Sequence, residues 1–303
     1  MSATTVRVVV VTYSPGASLA GFLSSLREAV TLGELSYDVV LADNGSTDGS
    51  VEQAVGAGVT LLRTGGNLGY GKAANLGASG ATTDWIVVAN PDVTWSPGAL
   101  DELVAAGARW PQAACLGPAI RTVDGRLYPS ARAFPSLGRG LGHAAFGWWW
   151  PANPWTRAYR AEQGRPVEGA TGWLSGSLML LRREAFEQVG GFDPKYFMYC
   201  EDMDLCRRLA EAGWQNIYVP TAVITHVGGL STQADPERAK RMLAEHHRAL
   251  YRYLSEHYAG PRWAPLRAAL GAGLAARYLL AARVPAVAEG ADPTRSAELL
   301  ETP

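Results

Sequence analysis

The strongest constraint on the fold is a rhythm in the first third of the chain: an apolar run of strand length, a polar cluster, then a helical pattern. The runs Val6 to Val11, Tyr37 to Ala42, Val59 to Arg63 and Trp85 to Ala89 are rich in β-branched and aliphatic residues, and only Arg7 interrupts the first. Such runs suit strands covered on both faces, as in a parallel sheet. Leu19, Phe22, Leu23, Leu26 and Val30 recur at helical spacing, so Ala17 to Val30 reads as an amphipathic helix. Shorter helices are expected over 48–55 and 71–78. This alternation implies right-handed βαβ units and an α/β fold: a doubly wound, mainly parallel sheet with helices on both faces. Ligands of such sheets gather beyond the carboxyl ends of the strands. The clusters Asp43-Asn44-Gly45-Ser46, Gly65-Gly66-Asn67 and Asn90-Pro91-Asp92 all fall there.

The second half is less regular. Strands are expected over 113–120, 176–181, 217–219 and 223–225, and a helix over 202–212. Residues 133–168 are rich in Gly, Pro and Trp, with Trp148-Trp149-Trp150 and Trp155, and read as a long loop or lid. Helices are expected over 236–258 and 262–283, before a frayed tail.

Charge narrows the partners. A net charge of -1 argues against nucleic-acid binding, which needs many cations facing phosphates. Between Pro236 and Val284, however, nine Lys/Arg stand against three Glu, and a basic tail on a neutral body points to an anionic surface. Cys115, Cys200 and Cys206 have neither disulfide-framework nor zinc spacing, so a reducing compartment is the simplest. No apolar leader pattern and no transmembrane stretch is read from the sequence.

Several residues could carry chemistry. Gly66 to Lys72 has the spacing of a phosphate-binding loop, but Ala73 stands where a magnesium-binding hydroxyl belongs. The segment reads as a tight Gly turn whose backbone and Lys72 approach a diphosphate, or simply as a turn. Asp43 is either an Asx-turn residue or an acceptor for a pyrimidine N–H. Asp92 follows Pro91, which ends strand pairing, and a carboxylate on a rigid rim suits a hard cation shared with substrate phosphates. Glu201, Asp202 and Asp204 open a helix; the dipole alone explains acids there, and a general base for a sugar hydroxyl also fits. His226 follows an apolar strand and gains interest only near Asp92.

Taken in order, Val8 to Tyr13, Ala42 to Gly49, Asn67 to Gly71, Ala89 to Asp92, Gly191 to Asp193 and Phe197 to Leu205 resemble the family 2 glycosyltransferases, which have the GT-A fold. Within that family, Val88 to Val93, Tyr128 to Arg132, Asn153 to Thr156 and Gly172 to Ser177 look like the actinobacterial rhamnosyltransferases of cell-wall linker assembly. Those enzymes transfer L-rhamnose from dTDP-β-L-rhamnose to N-acetylglucosaminyl-diphospho-polyprenol, in α-1,3 linkage and with inversion.

The resemblance implies roles for particular residues. Thr12, Tyr13, Asp43, Asn67, Gly69, Lys72, Asn90 and Asp92 would face the donor. Asp92 and His226 would hold Mn2+ or Mg2+, with Asn90 where the family usually has its first Asp. Asp202 would be the base, with Glu201 beside it, and Trp173, Ser175 and Gly176 would line the acceptor pocket. The domains expected are a catalytic unit over 1–235, with a nucleotide-sugar half (1–112) and an acceptor half (113–235), basic helices over 236–285 and a tail over 286–303. A polyprenyl acceptor places the protein peripherally on the inner leaflet, at the cytoplasmic face of the plasma membrane. Another nucleotide sugar, UDP- or GDP-linked, is the alternative donor; a silent glycan-binding module is the rival outside enzymes.

Overall fold

The computed structural model describes residues 4–33, 35–56, 58–135, 167–228 and 236–281. Four parallel strands form its N-terminal half: β1 (Thr4–Thr12), β2 (Leu35–Asp43), β3 (Val59–Arg63) and β4 (Trp85–Ala89), in the spatial order β3-β2-β1-β4. The helices expected between them are α1 (Ser18–Glu28), α2 (Ser50–Ala54) and α3 (Tyr70–Ala78).

β1 shows why both faces are covered. Val6, Val8 and Val10 pack with Leu19, Phe22 and Leu26 of α1, while Val9 and Val11 pack with Ala73, Ala74 and Ala78 of α3. α3 lies close because its contact residues are small; a Cβ at Gly77 would come within 2.4 Å of Val9. Arg7 sits in this apolar run because it pairs with Asp38, its register partner on β2, at 2.8 Å.

The sequence reading missed β5 (Val93–Trp95) and α4 (Ala99–Arg109), whose Leu100, Leu103 and Ala106 are buried at helical spacing. The second half then adds β6 (Ala113–Arg121), the short β7 (Leu127–Tyr128), β8 (Ala131–Arg132), β9 (Gly169–Thr171) and β10 (Trp173–Leu174), followed by β11 (Leu178–Arg182). α5 (Arg183–Gln188), α6 (Glu201–Glu211) and β12 (Gln215–His226) complete it.

β11 lies between β4 and β6 and runs antiparallel to both, so residues 1–112 and 113–235 share one continuous sheet. Two expectations need correction. β11 begins at Leu178, and Gly176-Ser177 forms a turn instead of the strand's start. Residues 217–219 and 223–225 belong to one strand, β12, whose register shifts between Val219 and Val223. Pro220 lies in that shift and has no N–H to donate to the ladder.

Past the sheet, α7 (Pro236–His257) and α8 (Ala264–Ala281) follow, joined by a 3-10 turn over Pro261–Trp263. Ala249 and Tyr253 of α7 are buried against Tyr196 and Met203, and the Tyr196 hydroxyl donates to Glu256 at 3.0 Å. α7 is thereby docked on α6. No helix among the described residues is long and apolar enough to cross a membrane. The expected lid lies mostly outside the described residues, as do Trp148–Trp150 and Trp155.

Candidate active site

The functional side chains stand where strands end. Asp92 follows β4 in the short link to β5, and β12 delivers His226 as its last residue, opposite Val93. His226 Nε2 lies 3.1 Å from Asp92 Oδ1 and 3.3 Å from Asn90 Nδ2. Gly228 N–H donates to Asp92 Oδ2 at 3.2 Å. Burial raises the Asp92 carboxyl, but His226 and the backbone N–H bonds outweigh it and hold the group below its ordinary value. Asp92 is 14% exposed and His226 19%, enough to meet a ligand.

The network continues through the tight turn before β11. Ser177 Oγ is 3.3 Å from His226 Nδ1, and the Ser177 carbonyl accepts from Asn90 N–H at 2.9 Å. Ser175 and Ser177 hydroxyls are 3.1 Å apart. Gly176 N–H donates to Asp202 Oδ2 at 2.8 Å. Gly176 packs closely on this carboxylate: a Cβ there would come within 3.2 Å of the Asp202 Cβ and 3.3 Å of Oδ2, so a side chain would press on Asp202. Asp92, His226 and Asp202, far apart in the chain, thus lie along one connected path.

Asp202 is the second residue of α6, which follows two residues with left-handed backbone, Tyr199 at φ 69° and Cys200 at φ 61°. Strain of this kind persists where the surroundings over-determine it, often at functional sites. Asp202 Oδ1 also accepts Met203 N–H at 2.8 Å. Burial raises its carboxyl above the ordinary value, against the pull of those two N–H groups. Glu201 is pushed up to about 8 by burial and by the neighbouring Asp202 charge, and its Oε2 is buried with no hydrogen-bond partner among the described residues. Two N–H groups aimed at Asp202 favour its ionised form, and Glu201 Oε2 has no such donor among the described residues. Asp204 is a structural acid, paired with Arg207 and Arg208 at 2.8 and 2.7 Å.

The other expected donor residues are placed differently from one another. Asp43 Oδ1 accepts from the Thr12 hydroxyl and from both the N–H and hydroxyl of Ser46, while Oδ2 faces Arg63 at 3.5 Å. At 1% exposure, Asp43 organises the ends of β1 and β2 beneath the surface. Tyr13, 44% exposed, lies at that surface. Asn67 Oδ1 accepts Gly69 N–H at 3.1 Å, an Asx turn. Gly69 does allow a close approach, but the group that approaches is the Phe197 carbonyl, 2.3 Å from where a Cβ would stand. Lys72 is exposed on α3 and makes no hydrogen bond or ion pair among the described residues.

Tyr70 is a site residue that sequence reasoning passed over. Its hydroxyl donates to the Gly176 carbonyl at 2.7 Å, and its N–H donates to the Phe197 carbonyl at 2.9 Å. Burial, then the charges of Glu201, Asp202 and Asp92, raise its phenol far above the usual range, so it stays a donor. Only the tight Gly turn before it hinted that its side chain is held in place. Trp173 is anchored by Nε1 to the Ala133 carbonyl at 3.2 Å, so the strip from Trp173 to Ser177 is a fixed wall.

Among the described residues no three His, Cys, Asp or Glu form a metal cage. Asp92 and His226 supply a carboxylate and an imidazole, a donor set that suits Mn2+ or Mg2+ only with further oxygens, such as those of a diphosphate.

Comparison with known proteins bears on this architecture. The model for "Glycosyl transferase family 2" matches residues 7–190. The chain belongs to glycosyltransferase family 2, and its sheet is the GT-A fold. It is 51% identical over 289 residues, 91% of this chain and 92% of the relative, to the N-acetylglucosaminyl-diphospho-decaprenol L-rhamnosyltransferase of Mycobacterium tuberculosis. A rhamnosyltransferase of Escherichia coli is 42% identical over 83 residues, 27% of this chain and 30% of that protein. Among solved structures, a Pyrobaculum calidifontis mannosyltransferase in complex with GDP-Man and Mn2+ matches 98% of this chain and 79% of its own, with TM-score 0.54 and 20% identity. GalNAc-T7 with UDP, GalNAc and Mn2+ matches 82% of this chain and 48% of its own, with TM-score 0.59 and 18% identity.

Proposed function

We propose that this glycosyltransferase moves L-rhamnose from dTDP-β-L-rhamnose to N-acetylglucosaminyl-diphospho-polyprenol, with inversion and in α-1,3 linkage, in a divalent-metal-dependent step of cell-wall linker assembly. The observation that carries the reading is the unbroken path from Asp92 and His226 through the Ser177-Gly176 turn to Asp202. It sets a phosphate-side pair and a basic carboxylate on one wall, as a single in-line displacement requires. The near full-length likeness to the mycobacterial enzyme supports the acceptor and the rhamnosyl group transferred.

In this reading Asp202 accepts the proton of the acceptor hydroxyl, a contribution of typically ~10²–10⁴-fold. Its two backbone N–H bonds aim the carboxylate and oppose the rise that burial imposes on it. Protonated Glu201 lies beside it with an unused oxygen for an acceptor group. A divalent ion held by Asp92 and His226 would offset the charge that grows on the departing nucleoside diphosphate. Thr12, Tyr13, Asp43, Asn67, Gly69, Lys72 and Asn90 form the donor side, and Trp173, Ser175 and Gly176 the acceptor side.

Thermal-shift and transfer assays with Mn2+ test this. The protein is expected to bind dTDP-rhamnose in preference to UDP- and GDP-sugars, and Asp202→Asn to keep that binding while transfer falls by ~10² or more. Preference for a UDP-sugar would overturn the donor assignment; full activity of Asp202→Asn would overturn the base.

We also propose peripheral attachment to the inner leaflet at the cytoplasmic face of the plasma membrane. Arg241, Arg248 and Arg252 are exposed along one face of α7, and each contributes about 1 kcal/mol near an anionic leaflet. Sedimentation with anionic vesicles should hold the protein at low salt and release it at high salt. A protein that stays in the supernatant at low salt refutes this.

A further inference from the structure

Arg132 is a cation held in place with most of its donors unused by the described residues. It lies on β8 directly opposite Trp173 of β10. Its guanidinium carbon is 5.4 Å from the Trp173 ring centroid and 5.5 Å from that of Tyr128. Aromatic faces attract a cation without consuming N–H groups. Nε donates to the Pro129 carbonyl at 2.8 Å, and the group forms no other hydrogen bond among the described residues. Nη2 is closed to solvent and has no partner among them. A guanidinium offers a planar fork of donors that matches two oxygens of one phosphate. Here the guanidinium is fixed, and its two Nη donors have no partner among the described residues.

Its place in the site says which anion it serves. The strip from Trp173 to Ser177 has Arg132 at one end, against Trp173. At the other end Ser177 meets His226, the partner of Asp92. Gly176, holding Asp202, lies between them. A diphosphate at Asp92 and His226 and an anion at Arg132 would therefore meet different ends of the strip whose Gly176 holds Asp202. The donor occupies the first; the second faces the molecule that the base deprotonates. Arg132 also acts on Asp202 through space: burial raises that carboxyl, and the Arg132 charge is among the influences drawing it back.

We propose that Arg132 binds the diphosphate joining the acceptor sugar to its lipid, and that it selects acceptors with that anionic group beside the sugar. This rests on the acceptor reading above. It makes Arg132 a specificity determinant and gives Tyr128 and Trp173 the task of presenting its fork.

The test compares two acceptors, N-acetylglucosamine on a short isoprenyl diphosphate in detergent and the same sugar as a neutral alkyl glycoside. The full chain is used, as wild type, Arg132→Met and Arg132→Lys. Arg132→Met should raise KM for the diphosphate acceptor by ~30-fold or more, with kcat and the donor KM changed by less than about 3-fold. The neutral acceptor should feel the substitution at least about tenfold less, and Arg132→Lys should lie between, because it keeps charge but loses the fork. Detergent removes the bilayer, so a loss seen there belongs to the acceptor's own phosphates and not to lipid headgroups. Titrating the diphosphate acceptor against donor-free protein supplies the same ratio if the neutral glycoside is too poor a substrate.

An unchanged KM overturns the proposal. So does an equal fall of kcat on both acceptors with the acid limb of the pH profile moved upward, which would mean that Arg132 only tunes Asp202. A wild type that fails to bind the diphosphate acceptor but glycosylates the neutral one would instead sink the acceptor reading. An Arg132→Met chain with lowered melting temperature is set aside in favour of Arg132→Lys, whose KM ratio then decides.

Discussion

The rim where β4 and β12 end and the start of α6 both present carboxylates to one wall, yet they are tuned in opposite directions. Asp92 is partly exposed and sits against His226 and a backbone N–H, which lower its carboxyl. Glu201 and Asp202 lie deeper, where burial raises both. Groups whose surroundings drive their proton affinities apart mark out separate tasks. A carboxylate that never protonates in the working range suits a cation; a pair that holds one proton between them suits proton transfer.

Removing the charge at the rim should have the largest effect. Asp92→Asn is expected to cut transfer by ~10²–10³-fold and to weaken Mn2+-dependent donor binding in parallel. Donor binding that is insensitive to Mn2+ in both proteins would break the division of labour. The second test is Glu201→Gln. Glu201's folded value, about 8, lies above its ordinary 4.5, so the folded chain holds this proton more tightly than the unfolded one. The stability it contributes is complete below about pH 4.5 and is lost as pH rises toward about 8. The melting-temperature gain of Glu201→Gln over wild type should therefore grow between about pH 5 and pH 9. A gain independent of pH would show Glu201 ionised throughout. The smallest effect belongs to the connection between the two regions. Tyr70→Phe removes the hydroxyl that holds the Gly176 carbonyl, a bond worth ~0.5–1.5 kcal/mol, so kcat should fall about 3- to 10-fold with little change in donor KM. An equal rise in donor KM would place Tyr70 at the donor and not at the turn.

Much of this arrangement is legible in the amino-acid sequence itself. Apolar runs ending in Asp43, Asn90 and Asp92 locate the working edge of the sheet, because strand ends and polar clusters are both local signals. The acids opening α6 and His226 at the end of β12 are visible as candidates for the same reason. The antiparallel insertion of β11 is not legible, since a buried apolar run carries no mark of its direction or its neighbours. Ser177, Tyr70 and Arg132 acquire meaning only from residues 41 to 106 positions away, which no spacing rule reaches. Gly69 has a clear signal with two meanings: a glycine needed for close approach does not say what approaches, and here it is Phe197.

The docking of α7 alters what the C-terminal segment is. With Tyr253 seated on Met203, and Tyr196 tied to Glu256, this helix acts as a buttress behind the turn that carries Asp202. A version of the protein cut at residue 235 would leave that buttress off and open Tyr196 and Met203 to water. The contacts behind Asp202 thus run out along α7 as far as Glu256, and a shift of that helix reaches Met203, the residue next to Asp202.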